Sequence, residues 1–223
     1  MEHIGIIGAM GCEVTLLRSR MTSCEEKTIA GRQFYDGVLA GRRVVLVCSG
    51  IGKVNAAMTA QMLVDHFGVD AILNTGIAGG AGPARVRDVV ISTEVAYHDM
   101  DPHILALGYP HLRSFTADET LCKAAERACE GRVRWHRGLI ATGDQFIDNA
   151  AVKADIVERL SPFAIEMEGG AIAHVAAANG LPFVIIRSIS DNADDDAGMS
   201  YDQFEQLAAD DAANIVTVML EQL

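Results

Sequence analysis

Short apolar runs rich in Ile and Val recur along the chain, and segments with helical spacing of apolar positions separate them. The runs occupy residues 3–8, 43–50, 70–76, 88–93, 138–143, 163–168 and 182–190. Runs of this length with few polar positions are typical of strands buried on both faces. The intervening segments with a helical period include 53–67, 148–160 and 169–180. This alternation predicts a three-layer α/β/α architecture with a central, mixed and largely parallel twisted sheet.

The last segment, 200–223, is predicted to be a long amphipathic helix that packs against the sheet, with Ser200 and Gln203 as a capping-box pair. No repeat, low-complexity tract or linker divides the chain, and the turn-rich stretch 108–112 lies between elements. Half of the 223 residues are hydrophobic, which suffices for one well-buried core. We therefore expect a single domain over 1–223.

Charge and cysteine content narrow the functional classes. The net charge of -12 disfavours partners with phosphate backbones or anionic lipid surfaces, so small neutral or cationic ligands suit the chain better. Five cysteines without CxxC or Cys/His spacing indicate neither a disulfide framework nor a zinc site. The start lacks a basic region and no stretch is long enough for a membrane helix, so we expect a cytoplasmic protein.

The glycine clusters do not match the common nucleotide-binding motifs. Glycines at 5, 8 and 11 miss the GxGxxG spacing of a dinucleotide fold, and the Gly-Lys pair at 52–53 lacks both the P-loop turn and its hydroxyl residue. The acidic stretch 191–198 fails the EF-hand pattern and is expected to be a solvated loop. The remaining indication of a ligand site is the position of certain residues along the chain. Six of them lie just beyond predicted strand ends, where open α/β sheets bind ligands: Gly8, Gly50, Gly76, Gly79, Gly143 and Asp191.

Three acids, Glu13, Glu168 and Asp191, share this placement. An acid in the first turn of a helix is also explained by the helix dipole, so for one residue the structural explanation has the higher prior. Three at one edge of a sheet favour a site, as does Arg187 within the apolar run 184–190, where a guanidinium needs an anionic or polar partner.

The motifs GIIGAM followed by Glu13, SGIGKVNAA, NTGIAGG, YHDMD, TGDQFI, IEMEGGAIAHVA and RSISDNAD occur in the order found in the 5'-methylthioadenosine/S-adenosylhomocysteine nucleosidases. The chain resembles this family, within the nucleoside phosphorylase-like superfamily, over nearly its whole length. The resemblance implies a nucleoside phosphorylase-like fold. It also implies hydrolysis of the bond between adenine N9 and ribose C1', with release of adenine and a 5-thio-substituted ribose.

The resemblance also implies roles for the acids. Asp191 matches the general acid that protonates adenine at N7, and Glu13 matches the general base for the attacking water. Glu168 resembles the ribose ligand, whose carboxylate accepts from the 2'- and 3'-hydroxyls and favours a cationic transition state. Arg187 is expected to help hold the water and the carboxylates, and Met167 to lie against the sugar.

For the rest of the site, the resemblance implies that Phe146 stacks on adenine and that the backbone of Phe146 and Ile147 meets its edge. Ala78 and Gly79 are expected to bring backbone close to the nucleoside. The predicted substrate-binding set also contains Ile51, Glu166 and Ser190. Support of the backbone around Glu168 stays open as another role for Glu166. Phe146 and Met167 also have an ordinary explanation as core residues.

The resemblance further implies a homodimer, with the segment 101–115 lining the neighbouring site, and requires no metal or cofactor. The sequence departs from the family pattern at Gly11, Cys12 and Ile77; the last removes a hydroxyl from a position near Asp191. Three alternatives stay open: a phosphate-dependent nucleoside phosphorylase, a futalosine-type or other purine nucleosidase, and a non-catalytic nucleoside sensor. The phosphorylase is disfavoured because the glycine segments lack the arginines that phosphate requires.

Overall fold

The apolar runs form the strands of one mixed sheet in the computed structural model, which describes residues 1–193 and 197–223. Within these residues the strands are β1 (His3–Gly8), β2 (Thr22–Ile29), β3 (Arg32–Leu39), β4 (Arg42–Cys48), β5 (Ala71–Gly80), β6 (Val89–Tyr97), β7 (Phe115–Thr116), β8 (Trp135–Thr142), β9 (Ala164–Glu166) and β10 (Phe183–Asp191). The helices are α1 (Gly11–Arg20), α2 (Lys53–Phe67), α3 (Pro102–Leu105), α4 (Glu119–Cys129), α5 (Ala150–Leu160), α6 (Gly169–Ala178) and α7 (Ala197–Glu221).

The sheet is partly closed on itself. Its strand order is β10-β6-β8-β9-β5-β1-β4-β3-β2, and an additional pairing between β10 and β5 joins five of the strands into a ring. The pairs β1–β4, β1–β5, β5–β10, β6–β8 and β8–β9 are parallel. The pairs β2–β3, β3–β4, β5–β9, β6–β7 and β6–β10 are antiparallel. The predicted mixed sheet is confirmed. The parallel strands β1, β5 and β10 end at one edge of the sheet, and this edge carries the candidate site.

Helices cover both sides of the sheet, as the three-layer prediction requires. On one side α7 packs on β10 and β5 and contacts α1 and α4. On the other side α6 packs on β5, β8 and β10 and contacts α2. The strands between these layers are buried over almost every residue, because their Ile, Val and Leu side chains lose water on both faces.

The strands that the pattern did not predict are β2, β3 and β7, whose sequences are polar, mixed or very short. β3 reads RQFYDGVL and is buried at only three of its eight positions. β2 reads TSCEEKTI and is exposed at most positions on the edge of the sheet, and β7 has two residues. The helix α4 also went unpredicted, although Asp118 caps it by accepting a hydrogen bond from the Leu121 amide at 2.9 Å. These elements lack a continuous buried apolar run, which is the feature that marks the central strands.

The C-terminal helix begins earlier than predicted, at Ala197 rather than Ser200. The predicted capping pair of Ser200 and Gln203 lies outside the described side chains, and residues 194–196 of the acidic loop lie outside the described residues. Within the described part of the chain, no helix combines the length and the apolar character that crossing a membrane requires.

Candidate active site

The carboxyl ends of β1, β5, β9 and β10 surround a cavity of about 520 Å³. Every predicted site residue lines it except Arg187, which lies behind its wall and is 1 % exposed. The cavity brings together residues that are far apart in sequence: Glu13, Ile51, Ala78, Gly79, Phe146, Ile147, Glu166, Met167, Glu168, Ser190 and Asp191.

Glu13 is held by backbone donors on two sides. It is the third residue of α1, and its carboxylate reaches back to accept from the amides of Ala9 at 2.6 Å and Met10 at 2.9 Å. The Ile77 amide donates to its other oxygen at 3.0 Å. Burial raises the pKa of Glu13, while the charge of Arg187 and the three amides oppose the rise. The result is a carboxylate fixed in place but more basic than one in water.

A glycine makes this position possible. A Cβ on Gly76 would overlap the Glu13 carboxylate, so the absence of a side chain there lets Glu13 lie directly over β5. Ile77, the departure from the family pattern, meets the site through its backbone amide. Its side chain packs in a small cluster with Ala208 and Ala209 of α7.

Glu166 and Arg187 form a buried ion pair beneath the cavity. Arg187 Nη2 is 2.6 Å from Glu166 Oε2 and 3.9 Å from Glu168 Oε2, and it also donates to Asn74 Oδ1 at 2.5 Å. Burial alone would lower the pKa of Arg187, but the carboxylates of Glu166, Glu168 and Glu13 outweigh it and raise that pKa.

Glu166 also organises the turn that follows β9. Its carboxylate accepts from the amides of Glu168 at 3.0 Å and Gly169 at 2.6 Å, and from the Thr142 hydroxyl. The two amides lie at the start of α6, where backbone N–H groups have no acceptor within the helix, so the Glu166 carboxylate supplies one. This arrangement favours the supporting role for Glu166, although the residue also lines the cavity.

Glu168 stands at the N-cap of α6 and faces the cavity. Its Oε1 atom accepts from the Gly52 amide at 2.8 Å, which connects it to the start of α2. Burial and the neighbouring charge of Glu166 raise the pKa of Glu168 to about 7, against the opposing effect of Arg187. Glu168 therefore holds a proton more tightly than a carboxyl group in water does.

Asp191 ends β10 at a bulge. The register with β5 shifts between Ile189 and Asp191, which turns the carboxyl group toward the cavity. Its oxygens accept from the Ser190 hydroxyl at 2.8 Å and the Ala193 amide at 2.7 Å. Gly79 is required beside it, because a Cβ there would meet Ala193 and the Asp191 oxygen. The aspartate is 2 % exposed.

An aromatic pair forms the opposite wall of the cavity. Phe146 is 47 % exposed, and Tyr201 of α7 meets its ring edge to face with centroids 5.7 Å apart. The Tyr201 hydroxyl donates to Glu205 at 3.0 Å and lies 3.3 Å from the Met10 sulfur. Tyr201 and Met10 were not among the predicted site residues. Met10 is the last residue of the quoted motif GIIGAM, which was an available signal, whereas Tyr201 follows the last motif by seven residues.

The charges of the site are unbalanced. Three carboxylates, Glu13, Glu166 and Glu168, lie around the single guanidinium of Arg187. None of the lining residues in the described part of the chain is Lys, Arg or His. Such a cavity attracts positive charge and repels anions.

Known proteins with similar sequences and structures were compared with this chain. The sequence model of the phosphorylase superfamily matches residues 3–221. A 5'-methylthioadenosine/S-adenosylhomocysteine nucleosidase from Geobacillus kaustophilus is 48% identical over 226 residues, which cover 96% of this chain and 95% of the relative. The Neisseria meningitidis nucleosidase of the same name, solved in complex with methylthio-immucillin-A, superposes with a TM-score of 0.94 at 39% identity and full coverage of both chains.

A hydrolase named for a different substrate, futalosine, also has a similar fold. The futalosine hydrolase of Helicobacter pylori superposes with a TM-score of 0.92 at 31% identity, covering 100% of this chain and 98% of that one. Backbone similarity alone does not separate these two activities.

The ion pair predicts a large loss of stability when its cation is removed. Arg187→Met leaves Glu166 buried without a counter-charge, and we expect the free energy of unfolding to fall by about 3 to 5 kcal/mol in urea denaturation. Adding Glu166→Leu removes the unpaired charge and should restore part of the loss. Lys123→Met, which breaks an exposed pair with Glu119, should change little. Equal effects of the two single substitutions would contradict the central place of Arg187.

Proposed function

The chain belongs to the phosphorylase superfamily and, within it, to the 5'-methylthioadenosine/S-adenosylhomocysteine nucleosidases, and we propose that it hydrolyses the N-glycosidic bond of these two nucleosides. The observation that carries the proposal is the pair of buried acids, Glu13 of α1 and Asp191 at the end of β10, that face one cavity. Breaking the bond requires a general acid that protonates the leaving adenine and a general base that deprotonates the attacking water, so two separate carboxyl groups match the reaction.

Asp191 is proposed as the general acid for adenine. The adenine anion is a poor leaving group, so a proton or hydrogen bond at N7 must reach it as the bond to C1' lengthens. The Ser190 hydroxyl and Ala193 amide orient the carboxyl group, and its burial excludes competing water. Ser190 thus contributes to the site by positioning Asp191.

Glu13 is proposed as the general base. Its raised pKa suits proton abstraction near neutral pH, and its three amide donors prevent the carboxylate from swinging away from the water. Arg187 lies behind the cavity wall, so we propose that it acts on the water only through the carboxylates that it holds.

Glu168 is proposed to accept the 2'- and 3'-hydroxyls of ribose, with Met167 against the sugar and Ile51 on the cavity wall beside it. The Gly52 amide fixes one carboxylate oxygen, which presents the group to the cavity. Positive charge develops on the ribose ring as the glycosidic bond breaks. The excess of carboxylates over cations in the site stabilises that charge more than it stabilises the neutral substrate.

Phe146 is proposed to stack on adenine, with the backbone of Phe146, Ile147, Ala78 and Gly79 around the base. Its exposure of nearly half argues against a purely structural core role. All four residues line the cavity that Asp191 enters. This arrangement provides a flat apolar face for the base and a carboxyl group near its edge.

Water is the proposed acceptor rather than phosphate. A phosphorylase must bind a dianion next to the sugar, which calls for cationic side chains. The described lining residues supply carboxylates instead, and these would repel phosphate.

The direct test is incubation of the protein with methylthioadenosine in phosphate-free buffer, with adenine detected by chromatography. We expect adenine release, with S-adenosylhomocysteine also cleaved, and no increase in rate on adding phosphate. Futalosine serves as the comparison substrate because of the structural similarity to the futalosine hydrolase. Binding of methylthioadenosine without adenine release would support a sensor, and cleavage only with phosphate would support a phosphorylase.

The two acids predict the effect of isosteric substitutions. Asp191→Asn and Glu13→Gln should each lower kcat by about 10²- to 10⁴-fold, because each removes one proton-transfer group. Asp148→Asn, which changes an acid two residues beyond Phe146 and outside the main cavity, is the control and should retain activity. Circular dichroism melting establishes that the variants fold, and near-normal turnover in either acid variant would remove that residue from its role.

We propose that the chain is a homodimer in which the segment 101–115 of one copy lines the site of the other. Support comes from a cluster of exposed apolar side chains, called here the apolar face: Ile51, Val54, Met58, Met100, Ile104, Leu107, Tyr109 and Leu112. The Lys53 ammonium, 2.7 Å from Asp99, ties the start of α2 to the segment before Met100, so both parts of the face adjoin. Exposed apolar groups of this size favour association.

Charged substitutions test the apolar face. Leu107 is 76 % exposed, so a monomer should tolerate Leu107→Glu. In a dimer interface the same substitution would bury a carboxylate and should prevent association. We expect light scattering to give a dimer for the unchanged protein and a monomer for Leu107→Glu, with a raised KM. Val152→Glu, an exposed site on α5, should leave both unchanged. A monomeric unchanged protein at micromolar concentration would reject the dimer.

A cytoplasmic location is also part of the proposal. All five cysteines are free thiols, which suits a reducing compartment. Recovery of the protein from a secreted fraction would reject this location.

A further inference from the structure

Asn74 is a buried amide between the two halves of the site. It lies in β5, in register with Ile7 of β1 and Ile185 of β10, and is 0 % exposed. Its Nδ2 atom donates to the Ile7 carbonyl at 2.8 Å, and its Oδ1 atom accepts from Arg187 Nη2 at 2.5 Å. An amide buried among Ile and Leu side chains is costly unless both of its ends are paired, and here both are.

The Asn74 amide determines how Arg187 distributes its hydrogen bonds. Arg187 Nη2 carries two hydrogens, and the structure assigns one to Asn74 and the other to Glu166. Glu168 Oε2 is 3.9 Å from the same nitrogen, which is too far for a hydrogen bond. Glu168 therefore feels the charge of Arg187 without being bonded to that nitrogen.

We propose that Asn74 is a positioning residue that keeps the Arg187 guanidinium on Glu166 and so leaves Glu168 free to accept hydroxyl groups of the ligand. The identity of that ligand as a ribose rests on the proposed function. The placement of Arg187 by Asn74 rests only on the contacts described above.

The orientation of the amide is itself fixed from β1. Because Nδ2 bonds to the Ile7 carbonyl, Oδ1 has to point toward β10 and Arg187. Ile7 is followed by Gly8 and Ala9, and the Ala9 amide binds Glu13. One side chain thus connects the strand that leads to Glu13 with the cation that holds Glu166.

Loss of the Asn74 oxygen frees one hydrogen of Arg187 Nη2. Glu168 Oε2 is a nearby acceptor for it, and the resulting charge-assisted bond would favour the ionised form of Glu168. The other charged groups that act on Glu168 are Glu166 of β9 and Glu13 of α1, both of which raise its pKa, and the Gly52 amide from the start of α2. Asn74 makes no direct hydrogen bond to any of these three in the described residues, so the first effect of its substitution falls on Arg187.

The test is a ¹³C NMR titration of glutamate side-chain carboxyls, with the Glu168 signal assigned by its absence in Glu168→Gln. In Asn74→Leu we expect the Glu168 titration midpoint to fall by about 1 to 3 pH units, as for a carboxyl that gains a guanidinium partner. Asn74→Asp retains the acceptor for Arg187, so its Glu168 midpoint should not fall. Thr75→Val is the matched control, since it changes the next residue of β5, also buried, whose hydroxyl has no partner in the described residues.

A kinetic measurement accompanies the titration. Asn74→Leu should raise the KM for methylthioadenosine by about tenfold or more with a smaller change in kcat, because Glu168 must leave Arg187 before it binds the sugar. Asn74→Ala replaces the Leu variant if the latter does not fold. A Glu168 midpoint that is unchanged, or that moves equally in Thr75→Val, overturns the proposal. The titration does not require turnover. If the protein without substitutions releases no adenine, the proposed function is rejected, but the Glu168 midpoints of Asn74→Leu and Thr75→Val still decide whether Asn74 positions Arg187.

Discussion

The ion pair between Arg187 and Glu166, buried beneath the cavity with 2.6 Å between its charged atoms, is the interaction on which the rest of the site depends. Burying either charge alone would cost several kcal/mol, so β9 and β10, which both pair with β5, have to bring the two side chains together. Glu166 also accepts hydrogen bonds from the amides at the start of α6, which places Glu168 at the cavity. The position of Glu168, the proposed sugar ligand, is therefore a consequence of the pair, although neither member of the pair is the proposed acid or base.

The site contains more carboxylates than cations, and this excess of negative charge makes the stability of the folded protein depend on pH. Burial raises the pKa of both Glu13 and Glu168, so the native state binds protons more tightly than the unfolded chain does. Stability contributed by these groups is lost as pH rises from the unfolded value near 4.5 toward the folded value of about 7 for Glu168. At neutral pH the empty site is thus electrostatically unfavourable, and a ligand with positive character relieves this cost. A site that destabilises the free protein in this way is well suited to bind a cationic transition state.

Sequence patterns predicted the layers, the buried strands and all the lining acids, because burial and strand ends leave strong local signals. They did not predict how Glu166 and Glu168 divide their roles. Both residues are glutamates two positions apart, and only the turn after β9 sends one toward Arg187 and the other toward the cavity. Tyr201 was missed because an aromatic residue in a helix has the pattern of a core residue. Met10, the N-cap of α1, was missed because an apolar side chain at the end of an apolar motif gives no chemical signal of its own. The edge strand β2 was missed because its side chains are polar and exposed, so no burial pattern marks it.

The two sides of the cavity differ in how they are built, and this difference bears on specificity. The proposed sugar side rests on backbone amides that bind Glu13 and Glu168, which fix both carboxylates in place. The proposed base side is formed by the segment around Phe146 and by Tyr201, whose rings meet near the surface. A nucleosidase and a futalosine hydrolase both superpose on this chain with TM-scores above 0.9, so the shared backbone carries the common chemistry of glycosidic bond hydrolysis. Selection between substrates must then depend on the side chains of the lining, and the aromatic wall, where Phe146 is nearly half exposed, is the part most able to vary without disturbing the buried charges.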